Sequence, residues 1–261
     1  MTFSIAISGK GGTGKTTVSA LLVHLLKNYG GQPILGIDSD PNSNLSEALG
    51  VDVTMSVGKA REMLLKNKDN LGPNQRKEDY FNYLFQSAVE EFDGYDIIIM
   101  GNAEGPGCYC YVNNLLRKMV DDLSDKYPLM ILDTEAGLEH FSRRTTRDID
   151  ILLVVTDPTA KGVLTAKRIQ ELIKTLNTNI RKAYLVVNRI PPRFINKVKE
   201  LEKTSGLECI AVIPEDPLIQ EFDLDGKAIP SLPASSLALK GVIELIKKLE
   251  IPTAPTSEIT K

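Results

Sequence analysis

The sequence predicts an α/β fold, a mostly parallel sheet of seven to eight strands with helices on both faces. Three observations predict it. Short β-type runs alternate with helix-patterned segments along almost the whole chain. Several of those runs are continuously apolar, as in Ile97-Ile98-Ile99-Met100 and Ile151-Leu152-Leu153-Val154-Val155, the pattern of strands buried on both faces. The 261 residues, 42% hydrophobic and 25% charged, suffice for one large core.

In chain order, the first strand is expected at Phe3–Ser8 and the first helix from Thr16 to about Asn28. Val18, Leu21, Leu22, Leu25 and Leu26 recur there at helical spacing. Strands follow at Pro33–Asp38, Tyr95–Gly101, Leu129–Thr134, Ile151–Thr156, Ala183–Asn188 and Cys209–Ile213, each an apolar run. Helices are expected near 112–125, 160–176, 193–204 and 234–249, and the pattern is weakest over 55–92. Residues 1–250 are expected to form a single domain, and 251–261, polar and rich in Pro and Thr, a flexible tail.

The charge balance, 31 basic against 34 acidic residues, does not suit a nucleic-acid-coating protein, so no nucleic-acid partner is expected. No apolar run approaches the roughly 20 residues needed to span a bilayer. The apolar positions of the segment Ser236 to Glu250 are those of a helix docked on a core, so no stable membrane anchor is expected. With no secretory leader and only three cysteines, the chain is expected in the cytoplasm, its cysteines thiols or metal ligands.

The segment Gly9-Lys10-Gly11-Gly12-Thr13-Gly14-Lys15-Thr16-Thr17 lies between the first strand and the first helix. Its glycines let successive backbone N–H groups point at phosphate oxygens. Lys15 would reach the β and γ phosphates, the Thr16 hydroxyl would ligate magnesium, and the helix presents its positive end to the same anion. Gly11, Gly12, Thr13, Gly14, Lys15, Thr16 and Thr17 are therefore expected to bind a nucleoside triphosphate, in a P-loop NTPase fold. Asp133, near the end of the strand Leu129–Thr134, faces the ligand crevice at the carboxyl ends of parallel strands and would hold magnesium through water or steer its hydration shell. Gly137, four residues on, would face the γ phosphate.

Cys108 and Cys110, in Gly105-Pro106-Gly107-Cys108-Tyr109-Cys110, are two thiols that can face one ion. The start of the following helix would favour their thiolates, and two thiolates make half of a four-coordinate site. A two-fold dimer would complete it, with nickel, zinc or copper as the metal. Cys209, by contrast, reads as a small core residue, His24 as structural, and His140 as a polar contact.

With Lys10 just after the first glycine, the chain resembles the deviant Walker A ATPases, the group of the Min and Par positioning ATPases, the arsenite-pump ATPases and the nitrogenase iron protein. That resemblance implies ATP, a nucleotide-sandwich homodimer and Lys10 reaching the phosphates of the other subunit. It also implies Asp38 near magnesium behind a water, Asp40 positioning the attacking water, and Asn188 with Pro214 and Asp216 around adenine. Within the group, Glu104-Gly105-Pro106-Gly107-Cys108-Tyr109-Cys110-Tyr111 and Asp133-Thr134-Glu135-Ala136-Gly137-Leu138-Glu139-His140 resemble the CooC-type accessory ATPases. Those mature nickel-containing carbon monoxide dehydrogenase. The resemblance implies ATP-dependent delivery of nickel to that enzyme or to acetyl-CoA synthase, with dimerisation promoted by ATP, by metal or by both. A reductase like the nitrogenase iron protein and a Min/Par-type positioning ATPase are the alternatives. Against the first, the segment Thr134 to Asp150 contains no cysteine.

Overall fold

A computed structural model describes residues 2–40, 44–67, 77–101, 121–123, 125–134, 148–175 and 179–252. Among them an eight-stranded sheet runs in the order β3-β4-β2-β5-β1-β6-β7-β8. The strands are β1 (Phe3–Gly9), β2 (Ile34–Asp38), β3 (Val89–Phe92), β4 (Tyr95–Ile99), β5 (Leu129–Asp133), β6 (Ile149–Thr156), β7 (Ile180–Ile190) and β8 (Glu208–Pro214). All neighbours pair in parallel except β3 with β4.

The period of two along each strand sorts its side chains between two layers. Ile5, Ile7, Ile97, Ile99, Ile131, Leu153 and Val155 face the helices α1 (Lys15–Leu26), α2 (Asn44–Leu49), α7 (Pro217–Leu224) and α8 (Leu237–Lys248). Ala6, Leu35, Ile37, Ile98, Leu132, Leu152 and Val154 face α3 (Val57–Asn67), α4 (Lys77–Gln86), α5 (Ala160–Ile173) and α6 (Val198–Ser205). Both faces are covered, which is why these strands carry no polar alternation.

Seven of the strands follow the sequence expectation within a few residues. The differences are local. The described residues of the segment 55–92 include α3, α4 and the antiparallel edge strand β3, a four-residue hairpin partner of β4 joined through Gly94. The helix expected over 193–204 begins as a 3-10 turn, Pro192–Lys197, before α6 continues it. Two short helices, α2 and α7, stand where only loops were expected. The helix expected at 112–125 lies almost wholly outside the described residues, as does most of the tail.

The sheet gathers its candidate site residues at the carboxyl ends of its parallel strands. Strand β1 sits centrally, with β5, β2 and β4 on one side and β6 to β8 on the other; the chain leaving β1 runs through α1 to β2 on one side, and that leaving its neighbour β6 runs through α5 to β7 on the other. That divergence opens a crevice above β1, β5 and β2, where ligands bind in open α/β sheets.

Candidate phosphate and nucleotide site

The chain leaves β1 through Gly9, where a Cβ would stand 2.1 Å from the Val155 carbonyl oxygen. Glycine is thus required for β1 and β6 to meet at the base of the loop. Thr13 is fully buried and ties the loop down, its hydroxyl 2.8 Å from the Lys10 carbonyl oxygen and 3.1 Å from that of Val155. Gly14, at φ 85, caps the amino end of α1 in the left-handed region. A Cβ there would lie 2.4 Å from Asn188 Nδ2. The first turn of α1 carries Lys15, Thr16 and Thr17, all partly exposed at the mouth of the loop. A helix start directs its backbone N–H groups outward, which makes this end a natural anion site.

Asp38 and Asp133 are paired in register at the ends of the neighbouring strands β2 and β5. Asp38 is completely buried. Its Oδ1 accepts from the Asp40 N–H and its Oδ2 from the Leu45 N–H, both at 2.9 Å, so it shapes the turn into α2. Burial, reinforced by the negative charges of Asp133 and Asp40, pushes its carboxyl up to about 7 against the pull of those two N–H groups. Asp133 is 2% exposed, and neither of its oxygens has a partner at hydrogen-bonding distance. Burial raises its carboxyl to about 6, although the nearby hydroxyls of Thr16 and Ser19 and the Lys15 ammonium favour the charge. An unpartnered, buried carboxylate beside a threonine hydroxyl is the donor set that a hydrated divalent cation satisfies. Magnesium therefore fits Thr16, Asp133 and Asp38, and Asp40 lies at the rim of the same crevice.

A cavity of about 690 Å³ extends from Gly12, Lys15, Thr16 and Asp40 to Glu47 of α2, to Phe222 of α7 and to Lys227 beyond its end. A second, about 150 Å³, opens beside it between Asn188, Pro214, Glu215, Asp216 and Gln220. Together they offer a phosphate lobe and a smaller lobe at the ends of β7 and β8. The structure brings Asn188, Pro214 and Asp216 to that smaller lobe, but occupies their polar groups. Asn188 Nδ2 donates to the Thr13 carbonyl at 2.8 Å, and its Oδ1 accepts from the Arg189 N–H. Asp216 caps two helices at once. It accepts from Leu218 N–H of α7 at 3.0 Å, from Ala238 N–H of α8 at 2.9 Å and from the Ser236 hydroxyl.

Sequence reasoning missed Arg189, whose Nη1 lies 3.0 Å from the Gly12 carbonyl oxygen, and missed the α2 and α7 walls. Asp216-Pro217, a capping residue followed by proline, is a helix-start signal that announces α7. No local signal announces Arg189.

Cys108, Cys110, Gly137 and His140 lie outside the described residues. Among the described residues no group of three His, Cys, Asp or Glu side chains is arranged to hold a metal. Cys209 is half-buried at the start of β8 with its Sγ 3.4 Å from the Ala211 carbonyl oxygen, and burial raises its thiol, in keeping with a structural role. Among the described residues no helix is long and apolar enough to cross a membrane.

The family model of the CobQ/CobB/MinD/ParA nucleotide-binding domain matches residues 4–229. The chain belongs to that family. Within the CobQ/CobB/MinD/ParA family it is a ParA/MinD-like ATPase. An uncharacterized ATP-binding protein of Methanocaldococcus jannaschii is 40% identical over 247 residues, 94% of this chain and 97% of that protein. The carbon monoxide dehydrogenase accessory protein CooC of Rhodospirillum rubrum is 29% identical over 85% of this chain and 87% of its own length. The cell division ATPase MinD of Pyrococcus furiosus superposes with a TM-score of 0.66 at 26% identity, covering 96% of this chain and 99% of that one. A ParA family ATPase from Chlorobium tepidum shares the fold with a TM-score of 0.70 at 20% identity, over 96% and 98% of the two chains.

Proposed function

We propose that this protein is an ATP-dependent nickel metallochaperone of the deviant Walker A type, serving a nickel enzyme such as carbon monoxide dehydrogenase or acetyl-CoA synthase. Residues 1–250 form one ATPase domain in this reading. The observation that carries it is the Cys108-Tyr109-Cys110 segment in a chain that is 29% identical to a carbon monoxide dehydrogenase accessory protein along most of its length.

Lys15, with the N–H groups of Gly11, Gly12, Gly14, Thr16 and Thr17, holds the phosphates, and Lys10 reaches the nucleotide of a second subunit. Thr16, with Asp133 and Asp38 behind water, would hold magnesium, which would supply positive charge against the phosphates. Asp40, at the crevice rim, orients the attacking water and accepts its hydrogen bond. The adenine takes the lobe of Asn188, Pro214 and Asp216. Closure of the dimer on ATP reshapes a site in which Cys108 and Cys110 of two chains present four thiolates to the nickel cargo, zinc being the competing metal. The similarity to MinD favours a positioning ATPase as the second reading.

Nickel titration of reduced, metal-free protein under anaerobic conditions, with mass measured at each point, separates the two. The metallochaperone reading expects one nickel per two chains, lost in the Cys108→Ser, Cys110→Ser variant. No specific nickel binding, with or without ATP, would discard it and leave the nucleotide switch.

A further inference from the structure

Strand β7 breaks register with β8 between Val187 and Ile190, beside the phosphate loop. Such irregularities bend a strand and re-aim side chains, and they cluster next to active sites. Arg189 stands inside the break at φ 54, one of two residues other than glycine with positive φ among the described residues. A side chain as bulky as arginine is disfavoured there and persists only where its surroundings impose it. Apolar burial does not impose it, because Arg189 is exposed.

What the conformation achieves is direction. It turns the guanidinium back across the loop, where Nη1 donates to the Gly12 carbonyl. The same group passes over Gly14, at which an added Cβ would meet Nε at 3.5 Å. Thr17, Arg189, Ile219 and Asp223 line both the large and the small cavity and form the wall between them. Of those four, Arg189 is the cation, and Thr17 sits on the first turn of α1. A nucleotide with its phosphates in one lobe and its base in the other must cross this wall with its α-phosphate and ribose. An arginine fork there meets a phosphoryl oxygen in the geometry it binds best.

Resting on the reading that the loop holds a nucleotide, we propose that Arg189 binds the nucleotide at the α-phosphate. Its hold on Gly12 ties the phosphate loop to that contact and sets the rate at which nucleotide leaves. The backbone of β7 is held in a disfavoured conformation to aim it.

Stopped-flow release of a fluorescent ADP analogue tests this in the full chain, with Lys15→Ala as the non-binding control. Arg189→Gln removes the charge, and Arg189→Gly also relieves the left-handed backbone. Both variants should release the analogue about tenfold to a hundredfold faster, the effect of losing one charge-assisted hydrogen bond. The glycine variant should melt, without nucleotide, no lower than the parent, which separates lost binding from lost folding. Release within about twofold of the parent in either variant overturns the role of Arg189 and spares the nucleotide reading. A parent chain that retains no nucleotide overturns both.

Discussion

Asp133 shows how a single side chain carries the cost of readiness. Its carboxylate is 2% exposed with no hydrogen-bond partner on either oxygen, in a position where a hydrophobic residue would pack without penalty. Its folded value of about 6 lies above that of an unfolded aspartate, so the folded chain binds this proton more tightly than the unfolded one. Its contribution to stability is complete below the unfolded value and is lost as pH rises through about 6. Asp38, at about 7, acts in the same direction. Asp133→Asn cannot ionise, and should stabilise the nucleotide-free protein by about 1–3 kcal/mol at pH 8, with little change at pH 4. Urea unfolding at the two pH values measures this, and an equal effect at both would refute the burial account. The same variant should lose the stabilisation that magnesium and ATP confer together. The sequence made Asp133 conspicuous by its place at a strand end. Its isolation among buried neighbours emerges only when β2, β5 and α1 are brought together.

Between elements, Asp216 is the hinge pin of the smaller lobe. Although burial works against its charge, the N–H groups of Ala238 and Leu218 and the Ser236 hydroxyl hold its carboxyl below the ordinary carboxylate value. Two helix starts, those of α7 and α8, are fastened by one side chain. Asp216→Ala should therefore cost about 2–4 kcal/mol, more than a single lost cap. Because the folded value is depressed, this stabilisation is present above the unfolded carboxylate value and disappears as pH falls through the folded one. Denaturation at pH 7 and near pH 3 should show the gap between variant and parent closing in acid. A gap that stays constant would mean that the neutral amide-like contacts, and not the charge, carry the interaction. The long buried strands were legible because their cores are apolar runs, continuous in cases such as Ile97 to Met100 and Ile151 to Val155. The edge strand β3 was not: Val89-Glu90-Glu91-Phe92 is short, half-exposed and charged, and pairs only because β4 offers an open edge. The six-residue α2 has too few turns for a helical period to stand out, and its position is set by Asp38 accepting from Leu45.

Taken whole, the molecule holds its candidate nucleotide site at the carboxyl ends of the central parallel strands, and the proposed dimer would be joined through Lys10 of its loop. A ligand at a hundred times its dissociation constant stabilises by about 2.7 kcal/mol, or roughly 5–10 °C in melting temperature for a chain of this size. In the Asp40→Ala variant, slowed in hydrolysis, ATP should convert the chain to a dimer in analytical ultracentrifugation. Adding Lys10→Ala should leave the ATP-induced melting shift and abolish the dimer, since Lys10 is assigned to the neighbouring subunit's phosphates. A dimer that survives Lys10→Ala would remove that assignment. By itself the sequence determined the sheet, its two covered faces, the phosphate loop and the acidic strand ends. Each of these is written in local order, as apolar runs, glycine spacing or a carboxylate closing a strand. Only the tertiary structure decided that Thr13 braces the loop from below, that Asp216 fastens two helices, and that Arg189 reaches Gly12 across 177 positions of sequence. The bonds from Thr13 to Val155 and from Arg189 to Gly12 join residues far apart in sequence, so they exist only once the parallel strands have set β1, β6 and β7 side by side, and the bond from Ala238 to Asp216 only once α8 has packed on β8.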